Sequence, residues 1–219
     1  MIEIHLKLLS DATFGRGDGV SGLVDQEIEH DPRTGLPLMR GRTLKGLLVE
    51  GCADIFYGLK QAADVPASLQ ESAVYLFGEP GSGLATAAQM QVGTAQFPAD
   101  LRQAVYAKVA KDELAPTAVL QSLTEIRRQT AVDETSGTPD SGSLRSMRVL
   151  LRQTKLVAPL TFASGAEAHL PLLAACVASV RRGGISRNRG RGRLSARLWQ
   201  DGQDVTDTWL DRFETEIGG

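Results

Sequence analysis

Arg181, Arg182, Arg187, Arg189, Arg191, Arg193 and Arg197 fall within seventeen residues that contain no acid. Four of them are interleaved with glycine in the run Gly183–Arg193. Glycine lets backbone approach a ligand closely, and arginine binds phosphate oxygens bidentately. Charges of one sign packed this densely repel one another, whereas a solvated loop usually mixes signs. The stretch reads as a surface for phosphate or nucleic acid.

Three other groups of residues have types and spacing suited to chemistry. Gly41-Arg42-Thr43-Leu44-Lys45-Gly46 opens a predicted helix, where unpaired N–H groups attract anions and Arg42 and Lys45 reinforce them. It is not a P-loop, because the glycine spacing and the ending are wrong. On spacing alone, an ordinary loop-to-helix join fits as well. Asp25, Glu27, Glu29 and Asp31 alternate along residues 23–31. Such carboxylates can hold magnesium, but the solvent face of a strand carries the same pattern and is the stronger reading from spacing. His5, His30 and His169 are the only histidines. None is tied by a motif to a serine or cysteine, although His5 or His30 has the chemistry of a ribonuclease acid or base. The glycines of Phe14–Gly19 lack the strand-turn-helix setting of a dinucleotide fingerprint.

Residues 2–9 alternate and predict a strand, followed by a flexible loop over 10–22. Residues 23–31 alternate again, and Asp31-Pro32-Arg33-Thr34-Gly35 is a turn. Thr43 is the expected N-cap of a helix that runs to about Tyr57 and ends at Gly58. Residues 59–88 are mixed, with a loop at 78–83. A strand is expected over 89–97 and a helix over 99–112. Residues 123–132 and 144–162 read as the two sides of a long hairpin around the polar tip Glu134–Ser143. An apolar helix (167–181), the Gly/Arg loop, a strand (194–199) and a terminal helix capped by Asp207 complete the chain. The order fits an α+β, split-βαβ, ferredoxin-like core with insertions.

The chain has 219 residues, 42% hydrophobic and 23% charged, with a net charge of -2. This is ordinary globular composition, and a chain of this length buries roughly 70% of its unfolded surface. No apolar run approaches the ~18 residues of a membrane span. The N-terminus does not read as a signal peptide, and Cys52 and Cys176 cannot build a disulfide framework or a four-thiolate zinc site. Both are expected to be buried thiols in a reducing cytoplasm. Aromatic residues make up only 5%, which argues against a protein that reads RNA by stacking bases on a sheet.

Taken together, these segments resemble a known family. The run Gly22–Gly46, with Asp25, the turn Asp31-Pro32-Arg33-Thr34-Gly35-Leu36-Pro37 and the ending Gly41-Arg42-Thr43-Leu44-Lys45-Gly46, is similar to the N-terminal signature of RAMP-superfamily backbone subunits of type III CRISPR effector complexes. Leu76-Phe77-Gly78 is similar to a short downstream motif of that family. Arg127–Lys155 resembles its thumb hairpin, and Gly183–Arg193 its C-terminal glycine-rich loop. Arg40 and Arg42 stand where the family usually has a proline or apolar residue and a serine.

The resemblance implies one RAMP domain over 1–219: an RRM-like, ferredoxin-like palm with inserted lobes and a protruding β-hairpin thumb at about 123–160. It implies a guide-RNA-binding backbone subunit that also cleaves guide-paired target RNA at regular intervals with Mg2+ or another divalent ion. Its partners would be guide RNA, target RNA, further copies of itself or related backbone subunits, and other subunits of the CRISPR complex, with no membrane. Asp25 is the implied catalytic residue and metal ligand. Arg16, Arg40, Arg42, Thr43, Lys45, Arg187, Arg189 and Arg191 are the implied RNA contacts. Val132, Thr135, Gly142 and Leu144 are the implied thumb residues. Two alternatives stay open: a non-catalytic structural backbone subunit, and a guide-processing endoribonuclease of the same superfamily using His5 or His30. Guide complexes leave sequence reading to base pairing, which suits a protein that offers arginines, glycines and a helix start to the RNA backbone.

Overall fold

The computed structural model describes residues 1–20, 22–62, 64–79, 81, 87–130, 138 and 143–218. In chain order the elements are β1 (Ile2–Leu8), α1 (Gly41–Ala62), α2 (Ala67–Phe77), β2 (Met90–Val92), α3 (Ala99–Val109), α4 (Pro116–Leu123), β3 (Thr124–Gln129), β4 (Arg145–Leu150), β5 (Lys155–Phe162), α5 (Leu170–Ser179), β6 (Leu194–Gln200), β7 (Gln203–Asp204) and α6 (Thr206–Gly218). A 3-10 turn, Ala166–His169, leads into α5.

The alternation of β1 works as its sequence requires. Ile4, Leu6 and Leu8 are buried, while Lys7 on the opposite face is exposed. β1 pairs antiparallel with β5 on one side and β6 on the other. β2 joins the outer edge of β5 and β7 that of β6, giving the order β2-β5-β1-β6-β7. Without the insertions the chain is β1-α1-β2 followed by β5-α5-β6, with the spatial order β2-β5-β1-β6. That is the double split-βαβ arrangement of a ferredoxin-like palm. α1 turns Leu44, Leu48 and Cys52 into the core at a spacing of four residues. α5 is apolar on every side because it packs against α1, α2, α6 and β6. Cys52 and Cys176 are buried free thiols. No helix among the described residues is long and apolar enough to cross a membrane.

Between β2 and β5 the chain inserts α3, α4 and the hairpin β3–β4, which forms a sheet of its own. The hairpin is shorter than the sequence suggested. Its second strand ends at Leu150, and Lys155–Phe162 is a palm strand. The break is a turn at 151–154 in which Gln153 takes a positive φ of 69°, with no glycine or proline to announce it. Val132, Thr135 and Gly142 lie outside the described residues, as does most of the 134–143 tip; Leu144 is exposed beside β4.

Other boundaries also moved. α1 starts at Gly41, with Arg40 O accepting the N–H groups of Thr43 and Leu44, so Thr43 sits inside the first turn. α1 also runs through exposed Gly58, which costs only about 1 kcal/mol relative to alanine. α2 and α4 were not foreseen. α6 starts at Thr206, whose N–H and hydroxyl both donate to Asp204 Oδ1, while Asp207 instead pairs with Arg197.

Candidate functional site

Residues 11–20 and 22–31 cross the base of the hairpin and are tied to it by backbone bonds. Ala12 bridges Leu150, and Gln26 bridges Met147 in parallel. The N–H of Arg148 donates to Gln26 O. Beneath these bonds, Arg148 Nε donates to Glu27 Oε1 at 2.8 Å and Arg148 Nη1 to Thr124 Oγ1 at 3.2 Å. Both charged side chains of the pair are over nine-tenths buried. The N–H of Ile28 also donates to Glu27 Oε1.

The acids at 25–31 therefore do not form one solvent-facing row. Glu27 is buried with Arg148, and buried Glu29 accepts both Arg40 Nε (2.6 Å) and Arg40 Nη2 (2.9 Å). Asp31 accepts the N–H of Arg33 and the hydroxyl of Thr34 within its turn. Asp25 alone is exposed beside the hairpin. Its Oδ2 accepts the N–H of Ser146 at 2.6 Å and the Ser146 hydroxyl at 3.0 Å. Those two donors, then the nearby Arg145 charge, hold its carboxyl below the usual aspartate value. Asp25 is thus an anchored, ionised carboxylate and not a freely swinging one.

Next to it lies the Gly/Arg loop. A groove of about 770 Å³ is lined by Asp25, Gln26, Gln129 and Leu144–Met147 on one side and by Gly184–Arg189 on the other. The loop is pinned to the palm: the N–H of Gly183 donates to Gly192 O, that of Gly192 to Asp11 O, and that of Ile185 to Thr13 O. Gly192 has a φ of 67°, and a Cβ there would strike the carbonyl of Gly183. This glycine serves a close backbone crossing within the loop.

The arginines of the loop differ in what they have free. Arg187 pairs bidentately with Glu50 of α1 at 2.7 and 2.8 Å, which holds its guanidinium firmly charged. Arg191 is half-buried, with its guanidinium on the sulfur of Met147. Arg197 is held by Asp204 and Asp207. The row is therefore less unopposed than its sequence suggested, because acids outside the run reach it: distant Glu50, and Asp204 and Asp207 just beyond it. Arg189 is exposed, lines the groove with Asp25 and has no side-chain partner among the described residues.

A second hollow, about 290 Å³, joins this loop to the start of α1. Arg40, Thr43, Gly184, Ile185 and Arg187 line it. The two anion-attracting features are therefore neighbours in space. Arg42 and Thr43 are exposed and Lys45 half-buried, and neither cation makes an ion pair among the described residues. Arg40 is already engaged by Glu29. Gly41 is buried, and a Cβ on it would strike the carbonyl of Val92, so it lets α1 begin against β2. Arg16 lies in the loop before Asp25, paired with Asp18.

The histidines stand apart from the groove. His5 stacks on Trp199 with ring centres 4.3 Å apart. His30 contacts Ile28 O through Nδ1. His169 meets Ser72 Oγ and stacks on Tyr75, and its burial lowers its basicity. No cluster of three or more His, Cys, Asp or Glu side chains suited to a metal exists among the described residues. Ser146, Arg145 and Gln129 were missed in the sequence, whereas Ser186 lies inside the Gly183–Arg193 run already singled out. Only the closeness of Arg145 and Ser146 to the hairpin tip could have pointed to them.

The family model of the RAMP superfamily matches residues 5–195. The fold is similar to a chain in the cryo-EM structure of type III-B Cmr-beta in the apo state, with a TM-score of 0.65 and 12% identity over 92% of this chain and 98% of that chain. It is also similar to a chain in type III-B Cmr-beta bound to cognate target RNA, with a TM-score of 0.63 and 12% identity over 96% and 99% of the two chains. A search of curated proteins gives no match.

Proposed function

This chain belongs to the RAMP superfamily, and we propose that it is a guide-RNA-binding backbone subunit of a type III CRISPR ribonucleoprotein that cleaves guide-paired target RNA. The observation that carries the reading is the shared groove. It brings the exposed carboxylate of Asp25 beside Ser186, Arg189 and the hairpin base, with the α1 start next door. Arg42, Lys45 and Arg189 supply cations that make no ion pair among the described residues, as binding to an RNA backbone requires. Arg187 adds a guanidinium preset by Glu50. Arg16, Arg40 and Arg191 serve as secondary contacts, since each is already engaged by Asp18, Glu29 or Met147. Copies of this chain or related subunits stack head to tail along the guide, because a linear polymer is covered by a repeating heterologous interface.

Within this reading Asp25 is the cutting-site residue. Its depressed basicity makes it a poor proton acceptor at neutral pH and a good fixed negative charge. Its Oδ1 has no partner among the described residues, so the donor set fits a divalent ion whose remaining ligands are RNA phosphate and water. Such an ion, when bound, supplies charge stabilisation at the transferring phosphate. Arg189 and Arg145 flank the same groove and are suited to hold the RNA backbone there.

A structural subunit with a silent Asp25 is the second reading. It is favoured by the loss of Glu27 and Glu29 to Arg148 and Arg40, which leaves Asp25 the lone member of that acidic run in the groove. The test is cleavage of a guide-matched RNA by the assembled complex. The cutting reading expects wild-type protein to cut and Asp25→Ala or added chelator to stop it, with target binding kept. Equal product from both proteins leaves the structural reading.

A further inference from the structure

We propose that Ser146 is a positioning residue for Asp25: it locks one carboxylate oxygen so that the other stays available to substrate and ion in the groove. The inference rests on the reading of Asp25 as the cutting-site residue. Four hydrogen bonds join the two residues. The Ser146 N–H and Oγ donate to Asp25 Oδ2 at 2.6 and 3.0 Å. In return the Asp25 N–H donates to Ser146 Oγ at 3.1 Å and to Ser146 O at 3.1 Å.

The two partners differ in how firmly each is held. Ser146 belongs to β4, paired with Arg128 in the ladder and followed by buried Met147, Arg148, Val149 and Leu150. Asp25 follows a loop and lies in no strand; its neighbour Gln26 forms a single bridge to Met147. Ser146 is therefore the fixed post and Asp25 the side chain that is set by it. Any residue at 146 except proline would supply the N–H. The serine hydroxyl both donates to Oδ2 and accepts from the Asp25 N–H through one atom, so it fixes the carboxylate against its own backbone. With Oδ2 taken twice, Oδ1 is the oxygen without a partner among the described residues. Displacing a reacting group by even 1 Å costs roughly 10- to 100-fold in rate, so a latch of this kind matters more to cutting than to folding.

The experiment compares Ser146→Ala, Ser146→Thr, Asp25→Ala and the double Asp25→Ala, Ser146→Ala variant, all in the assembled guide-loaded complex. Single-turnover cutting and target-RNA affinity are measured for each, and amide hydrogen exchange across residues 22–28 is measured in the isolated chain. Ser146→Ala is expected to cut at least about 10-fold more slowly, with unchanged target affinity and faster exchange at 22–28. Ser146→Thr, which keeps the hydroxyl, is expected to restore both cutting and exchange protection. The double variant is expected to be no worse than Asp25→Ala alone. If Asp25→Ala abolishes cutting while Ser146→Ala cuts at the wild-type rate, the positioning role is wrong and the cutting reading stands. A Ser146→Thr variant as slow as Ser146→Ala, or a Ser146→Ala variant that loses target binding as well, also overturns it. If Asp25→Ala cuts like wild type, the cutting reading itself has failed.

Discussion

Replacing Arg148 by methionine strips a buried carboxylate of its counter-charge. Glu27 is 3% exposed and, among the described residues, keeps only the N–H of Ile28 as a donor once Arg148 Nε, 2.8 Å away, is gone. Removing one partner of a buried pair costs about 3–5 kcal/mol, because the remaining charge cannot return to water without opening the structure. In a domain of this size each kcal/mol moves the melting temperature by roughly 2–4 °C, so Tm should fall by about 6–20 °C. The loss of the bond to Thr124 Oγ1 acts in the same direction. The companion variant is Arg148→Met with Glu27→Gln. Glutamine still accepts from the Ile28 N–H but carries no charge, so the pair of changes should recover most of the loss. Urea unfolding of the isolated chain, followed by circular dichroism, measures both. An Arg148→Met protein within about 1 kcal/mol of wild type, or a double variant no better than the single, would refute the claim that this ion pair ties the 22–28 segment to the hairpin.

Two further outcomes follow from the site. Arg189→Ala removes a cation with no side-chain partner among the described residues, so unfolding should stay within about 0.5 kcal/mol of wild type. The slope of log affinity for RNA against log salt should fall by roughly one; a change in stability with an unchanged slope would contradict the contact. The carboxyl of Asp25 is lowered from 3.8 by its bonds to Ser146, so its latch contributes fully above that value and is lost only as pH falls through the lower folded value. A carboxyl-carbon NMR titration should therefore place Asp25 below ordinary aspartate, and Ser146→Ala should raise it; an ordinary value in the wild-type chain would contradict the latch.

Much of the palm was legible because its signals are local. The alternation of Ile2–Leu8, the apolar run of α5 and the glycine-arginine loop each declare themselves in a few residues. α2 did not, because one of its three inward positions is Ser72, which meets His169 and breaks the apolar spacing. α4 had a signal that went unused: Pro116 at its first position, where a missing N–H costs nothing. The hairpin was overextended because residues 151–154 turn without glycine or proline.

For the site, the loop, the helix start and Asp25 could be picked out in the sequence, but their bonding could not. Which acids of 25–31 turn inward depends on Arg40 and on Arg148, the latter 121 residues away from Glu27. Likewise Glu50 reaches Arg187 across 137 residues. Long-range ion pairs leave no period in a sequence. Ser146 stands beside the hairpin tip, but nothing near it in the chain says that a loop 121 residues earlier will fold against it.

The central claim is that this chain is built around a guide RNA. Its most direct test is purification of the chain with its native partners, followed by sequencing of the RNA that comes with it. Short RNAs of uniform length are expected, carrying CRISPR repeat sequence at one end and varied spacer sequence beyond it, and lost when Arg42, Lys45 and Arg189 are all changed to alanine. Purification free of RNA, or with bulk cellular RNA in proportion to its abundance, would contradict it.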